Sequence, residues 1–235
     1  MGKTQPAAGA AAHYGAVDRV GTGMPAEYMV IADSYLAELA DAASRVDTAA
    51  LAGVAHAVID ALRSGRSVFV AGNGGSAAAA THMVCDWTNA CLLRHVRGAR
   101  VIGLSDNPSV LTATANDHGF AEVFARQVGL MGEPGDVLVL LSVSGDSANI
   151  VRAAEVARQR GMVVVGLFGN EGIAVPLCHA WTQFGARDFG LTEDLHLAVN
   201  HIDVRLLNGG EPQRYSRSEI EAYRQQSRGD RWSWT

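Results

Sequence analysis

Ser67-Val68-Phe69-Val70-Ala71-Gly72-Asn73-Gly74-Gly75-Ser76 is an apolar run that breaks into glycines and opens a helical stretch carrying His82 and Asp86. The apolar part has the length and composition of a buried strand. A strand that turns straight into a helix leaves backbone N–H groups unpaired at the helix start. Those groups and the positive end of the helix dipole favour a phosphate or another anion. His82 and Asp86 stand four residues apart, so they share one helix face. One segment thus supplies an anion cradle of backbone N–H groups and two groups suited to metal ligation or acid–base work. Alone, the glycines read equally well as a tight turn, and a His/Asp pair at this spacing is more often capped or solvated than a ligand pair.

Outward from this stretch, strands and helices alternate. Apolar runs at Ala99–Leu104, Asp136–Leu141, Met162–Phe168 and Ala180–Phe184 read as strands. Helical patterns fill Ser76–Leu93, Ser109–Ala115, Ala121–Met131, Ala148–Arg160 and Leu191–Leu207 between and after them. The alternation predicts an α/β protein, a three-layer α/β/α sandwich around a parallel sheet of about five strands. Ligands of such sheets bind beyond the carboxyl ends of the strands. Two helices are expected ahead of it between Pro25 and Arg63, with Tyr28, Ile31, Tyr35, Leu36 and Leu39 on one stripe and Leu51, Val54, Val58, Ile59 and Leu62 on the next. The expected organisation is an extension over residues 1–23, one domain over 24–208, and a polar tail over 209–235 with Tyr215, Tyr223, Arg228, Arg231, Trp232 and Trp234.

The chain has 235 residues, 48% of them hydrophobic, enough for one sizeable core. A formal net charge of −5 gives no electrostatic reason to expect nucleic-acid or membrane binding. Three cysteines without a pattern read as reduced thiols of a cytoplasmic protein, and no apolar run reaches the roughly 18 residues of a membrane span. A secretory signal is not expected at this N-terminus.

Ser142-Val143-Ser144-Gly145-Asp146-Ser147 repeats the logic of the first turn between a strand and a helix. Its three hydroxyls, Ser142, Ser144 and Ser147, exceed what one helix N-cap needs and suit phosphate oxygens. Asp146 would repel a phosphate unless it points away. Further on, Glu193-Asp194-Leu195-His196-Leu197-Ala198-Val199-Asn200-His201 carries another carboxylate and two histidines. Helix geometry makes Glu193/His196 the natural pair and Glu193/His201 a stretched one, and spacing leaves both open.

In this order the segments resemble the SIS (sugar isomerase) domain family, and within it the phosphoheptose isomerases. The similarity covers about Pro25 to Leu207. It is carried by Gly72–Ser76, Leu104-Ser105-Asp106, Ala115-Asn116-Asp117-His118-Gly119-Phe120, Pro134-Gly135-Asp136-Val137, Ser142–Asn149 and Glu193–His201. The resemblance implies a homotetramer with active sites where subunits meet, and interconversion of sedoheptulose 7-phosphate with a manno-heptose 7-phosphate. It implies sugar-phosphate contacts from Asn73, Gly74, Ser76, Ser142, Ser144 and Ser147, with Asp106 near the sugar hydroxyls. His82, Asp86, Glu193 and His201 fall on its zinc-ligand positions, which leaves His196 either to support a ligand or to a structural role.

Two departures stand out. The family usually has Glu at the place of Asp86 and Gln at the place of Glu193, so a carboxylate has shortened on one side of the metal and appeared on the other. Val143 and Asp146 replace a usual Thr and Asn. Aldose–ketose isomerisation needs a base for the proton α to the carbonyl and an acid or metal for the enediolate. The expected base is Asp86, with Glu193 as substitute, and the expected acid is His201. The expected cofactor is a divalent metal, zinc by resemblance, though two histidines and carboxylates also suit iron or manganese. The alternatives are an isomerase or epimerase for another phosphosugar, and a non-catalytic SIS protein that senses phosphosugars or binds a partner.

Overall fold

The structure is a computed structural model in which residues 25–185 and 188–210 are described. The expected extension over 1–23 lies outside these residues, as does the tail from residue 211 onward. The chain divides into two compact units, one ending at Glu38 and one beginning at Leu39.

Helix α1 (Ala26–Ser44) crosses that boundary. In its first part Tyr28, Met29, Val30, Ile31 and Leu36 are all exposed. The second unit is a five-stranded parallel sheet in the order β2-β1-β3-β4-β5. Its strands are β1 (Ser67–Gly72), β2 (Arg100–Gly103), β3 (Val137–Ser142), β4 (Val163–Phe168) and β5 (Ala180–Gln183). Every residue of β1 and β3 is buried, while the edge strands β2 and β5 are short and half-buried. Continuous apolar runs form central strands because both faces of a parallel sheet are covered.

Helices α2 (Thr48–Arg63), α3 (Gly75–Leu93) and α7 (Phe189–Leu207) cover one face. Helices α4 (Pro108–His118), α5 (Ala125–Met131) and α6 (Ala148–Gln159) belong to the other side. Alternate strand residues Phe69, Ala71, Leu138, Leu140, Val164 and Phe168 meet α5 and α6 in one core cluster. Their neighbours Val68, Val70, Val139, Leu141, Val165 and Leu167 are as deeply buried, as a period of two requires. Asp47, Asn107 and Asp188 cap α2, α4 and α7 by accepting backbone N–H bonds.

One element departs from expectation. The helix expected over Ala121–Met131 is a 3₁₀ turn at Phe120–Glu122 followed by α5. Across the break three consecutive residues, Val123, Phe124 and Ala125, are buried, an arc of about 200° on a regular helix and wider than one apolar stripe. No described helix is long and apolar enough to cross a membrane.

Candidate functional site

The strand order reverses between β1 and β3, so the loops after these two strands flank the crevice where ligands of doubly wound sheets bind. The first loop holds Gly74 at φ 55° and ψ −125°, a conformation that only glycine enters freely. Ser76 is buried at the start of α3. The Asn73 side chain exchanges two 2.9 Å hydrogen bonds with the amide of Asn149, near the start of α6. The two loops are therefore tied together.

In the second loop Ser142 Oγ accepts the Gly145 N–H at 3.0 Å and Ser144 Oγ accepts the Asp146 N–H at 3.2 Å. Both hydroxyls keep their own proton to donate. Ser147 occupies the N-cap of α6, yet its side chain makes no capping bond, so the loop is not simply a serine cap. Asp146 turns away: its Oδ1 accepts the Ile173 N–H at 2.8 Å. Backbone bonds from Gly169, Asn170 and Ala174 to Ser142, Val143 and Gly145 fasten the loop to the one after β4.

Helices α3 and α7 pack side by side and bring together His82, Asp86 and His201. One ligand atom from each lies within 4.8 Å of the others. Asp86 Oδ2 is central, 3.2 Å from His82 Nε2 and 3.9 Å from His201 Nε2. The imidazoles meet edge to face with centroids 5.6 Å apart. The side chains of His82, Asp86 and His201 are 44%, 26% and 58% exposed, so the cluster is open to solvent on one side. Two imidazoles and a carboxylate on a tetrahedral metal leave one position open, as in catalytic zinc sites, and the same set serves non-haem iron. The donor set thus fits a divalent metal.

Glu193 is not part of this triad. Its carboxylate rests against Gly75, where a β-carbon would overlap it, so Glu193 faces the first turn of α3. His196 is fully buried on α7, donates from Nε2 to the Leu167 carbonyl at 3.0 Å, and packs edge to face on Phe184. Burial without a charged partner pushes its pKa down to about 4. The pairing of Glu193 with His196 that spacing favours is therefore not what the structure brings to the cluster: His196 serves the sheet and His201 stands with His82 and Asp86. Asp106, after β2, accepts the Thr81 hydroxyl at 2.6 Å on the side of α3.

Three polar residues at the site were not singled out from sequence: Asn149, Thr81 and Asn200. Asn200 donates from Nδ2 to Asp86 Oδ2 at 2.7 Å. A threonine or asparagine within a helix carries no local signal of the partner it meets across the fold.

A doubly wound sheet with a serine-rich loop after β3 and a two-histidine, one-carboxylate cluster between α3 and α7 defines the class. The chain belongs to the SIS domain family, whose profile matches residues 34–169. Within it, the chain is 38% identical over 178 residues to the phosphoheptose isomerase of Chlorobaculum tepidum, covering 74% of this chain and 84% of that one. It is 40% identical over 174 residues to that of a Bradyrhizobium species, covering 72% and 87%. The solved phosphoheptose isomerase of Neisseria gonorrhoeae superposes with a TM-score of 0.69 at 27% identity, covering 79% of this chain and all of that one.

Proposed function

We propose that the chain is a metal-dependent aldose–ketose isomerase that converts sedoheptulose 7-phosphate to D-glycero-D-manno-heptose 7-phosphate through an enediolate. The observation that carries this reading is the cluster of His82 and Asp86, on the helix that opens from the glycine turn, with His201 of α7, in a chain about 40% identical to phosphoheptose isomerases. At 1.5 Å per residue, His82 lies about 10 Å along α3 from its first residue. Such a span separates a phosphate at one end of an extended sugar from a carbonyl at the other.

Each residue group has a task. Ser142, Ser144 and Ser147 donate to the phosphate, and the Asn73–Asn149 bond holds their loop against the first one. Asp106 faces the sugar hydroxyls. A divalent metal, which we take to be zinc, would be held by His82, Asp86 and His201 and would supply Lewis acidity toward the substrate oxygens. Asp86 has Oδ2 engaged by Asn200 and flanked by the two imidazoles. Glu193 lies outside that triad, so we assign it the proton α to the carbonyl and leave Asp86 as ligand. His201, the most exposed of the three, turns Nε2 to the cluster, so its part as the acid toward the second oxygen would fall to Nδ1–H.

We further propose a cytoplasmic homotetramer. The three free cysteines and the exposed Tyr28, Met29, Val30, Ile31 and Leu36 of α1 support it. The test is an NMR time course with sedoheptulose 7-phosphate. An aldoheptose 7-phosphate that vanishes with a chelator or with His82→Ala supports the reading; a folded, metal-loaded protein without turnover refutes it.

A further inference from the structure

We propose that Asn200 is a positioning residue that holds the Asp86 carboxylate in place between His82 and His201. The proposal rests on the reading of that triad as the metal site. Asn200 is 0% exposed on α7, one residue before His201, and its Nδ2 donates to Asp86 Oδ2 at 2.7 Å. The oxygen it grips is the one that stands 3.2 Å from His82 Nε2 and 3.9 Å from His201 Nε2. One bond from α7 therefore fixes the atom around which the α3 ligands and the α7 ligand converge.

The other end of the amide sharpens the point. Asn200 Oδ1 is buried and has no hydrogen-bond partner. A buried polar atom left unpaired is costly, and an aliphatic side chain of similar size would avoid that cost. Packing alone therefore gives no reason for an amide here, whereas its N–H has a use. Aspartate has one methylene fewer than glutamate and 26% of the Asp86 side chain faces solvent, so without a brace the carboxylate can rotate out of the cluster. Hydrogen bonds to a ligating carboxylate typically change metal affinity or activity by about 10–100-fold.

The test compares wild type with Asn200→Leu in the full chain. Apo-protein is titrated with zinc(II) against a chromophoric chelator, and cobalt(II) absorption reports the ligand field. Turnover of sedoheptulose 7-phosphate is then split into kcat and KM. Zinc affinity is expected to fall about 10–100-fold, the cobalt spectrum to change, and kcat to drop with KM nearly constant, while the melting temperature holds or rises. In an Asp86→Ala background the Leu substitution is expected to change zinc affinity no further. Unchanged affinity, spectrum and kcat in a folded Asn200→Leu protein overturn the proposal. If that variant does not fold, Asn200→Ala is measured in the same way with the same two outcomes. Failure of the wild type to isomerise the sugar removes the functional reading but leaves the zinc and cobalt comparison decisive for Asn200.

Discussion

Asn73 and Asn149 face each other as two amides, each giving one hydrogen bond and taking one, both at 2.9 Å. Asn73 follows β1 and Asn149 follows β3 and its serine loop, so the pair closes the gap between the two central strands where the sheet order reverses. Asn149→Ala removes both bonds beside a buried position. A stability loss of about 1–3 kcal/mol is expected from denaturant unfolding. If the serine loop holds the phosphate as proposed, KM for the phosphosugar is expected to rise about tenfold with kcat less affected, because the loop loses its anchor. An unchanged KM would show that the loop is held without the pair.

If Glu193 and Asp86 divide the carboxylate chemistry as proposed, their amide variants separate the two roles. Asp86→Asn is expected to lower zinc affinity by more than the roughly 10–100-fold that loss of an outer hydrogen bond to a ligand costs, because a ligating carboxylate is itself removed. Glu193→Gln is expected to bind zinc as the wild type does and to lose about 10²–10⁴-fold in kcat, the usual worth of a positioned base. The reverse pattern, with Asp86→Asn keeping its metal and losing turnover, would return the proton transfer to Asp86.

Much of this was legible in the sequence, and the reasons for the rest are physical. Five apolar runs gave the strands because each central strand is buried on both faces. The break before α5 was not visible, since it goes with the burial of Val123, Phe124 and Ala125 in a row, which packing against α6 and the sheet decides. His82 and Asp86 could be paired by helix spacing alone. His196 and His201 could not be ranked: five residues put them about 140° apart on α7, and only docking decides which faces the sheet and which faces α3. Asn149 and Asn200 meet partners 76 and 114 residues away, distances at which local pattern carries no signal.

Gly75 tests whether the placement of Glu193 matters. Gly75→Ala adds a methyl where the Glu193 carboxylate now sits, and the side chain must swing aside. Alanine improves helix propensity by up to about 1 kcal/mol, so stability should hold while kcat/KM drops at least about tenfold. Combining Gly75→Ala with Glu193→Gln should cost little more than Glu193→Gln alone, because both act on one group. Full additivity of the two losses would mean that Gly75 acts through something other than Glu193.

Zinc(II) added to apo-protein at 100 times its Kd should raise stability by about 2.7 kcal/mol if it binds only the folded state. His82→Ala and His201→Ala are each expected to abolish most of that increment. His196→Gln is expected to keep it, since His196 donates to the Leu167 carbonyl rather than standing in the cluster. A lost increment in His196→Gln, with the ordinary one in His201→Ala, would exchange the roles of the two histidines.

The burial of His196 also sets a pH dependence. Its folded pKa is pushed from 6.5 down to about 4 by desolvation, only partly offset by the bond to the Leu167 carbonyl. As pH falls below 6.5 the unfolded chain takes a proton at this site first, so the unfolded state binds more protons and stability falls with falling pH. The loss accumulates between 6.5 and about 4 and stops below that, once both states are protonated. At pH 5 it amounts to about 2 kcal/mol, at 1.36 kcal/mol per pH unit. Urea unfolding in chelator, which keeps metal binding at His82 and His201 out of the comparison, should give wild type a steeper acid loss than His196→Gln. Parallel pH profiles for the two proteins would mean that His196 is protonated without leaving its place against Leu167 and Phe184.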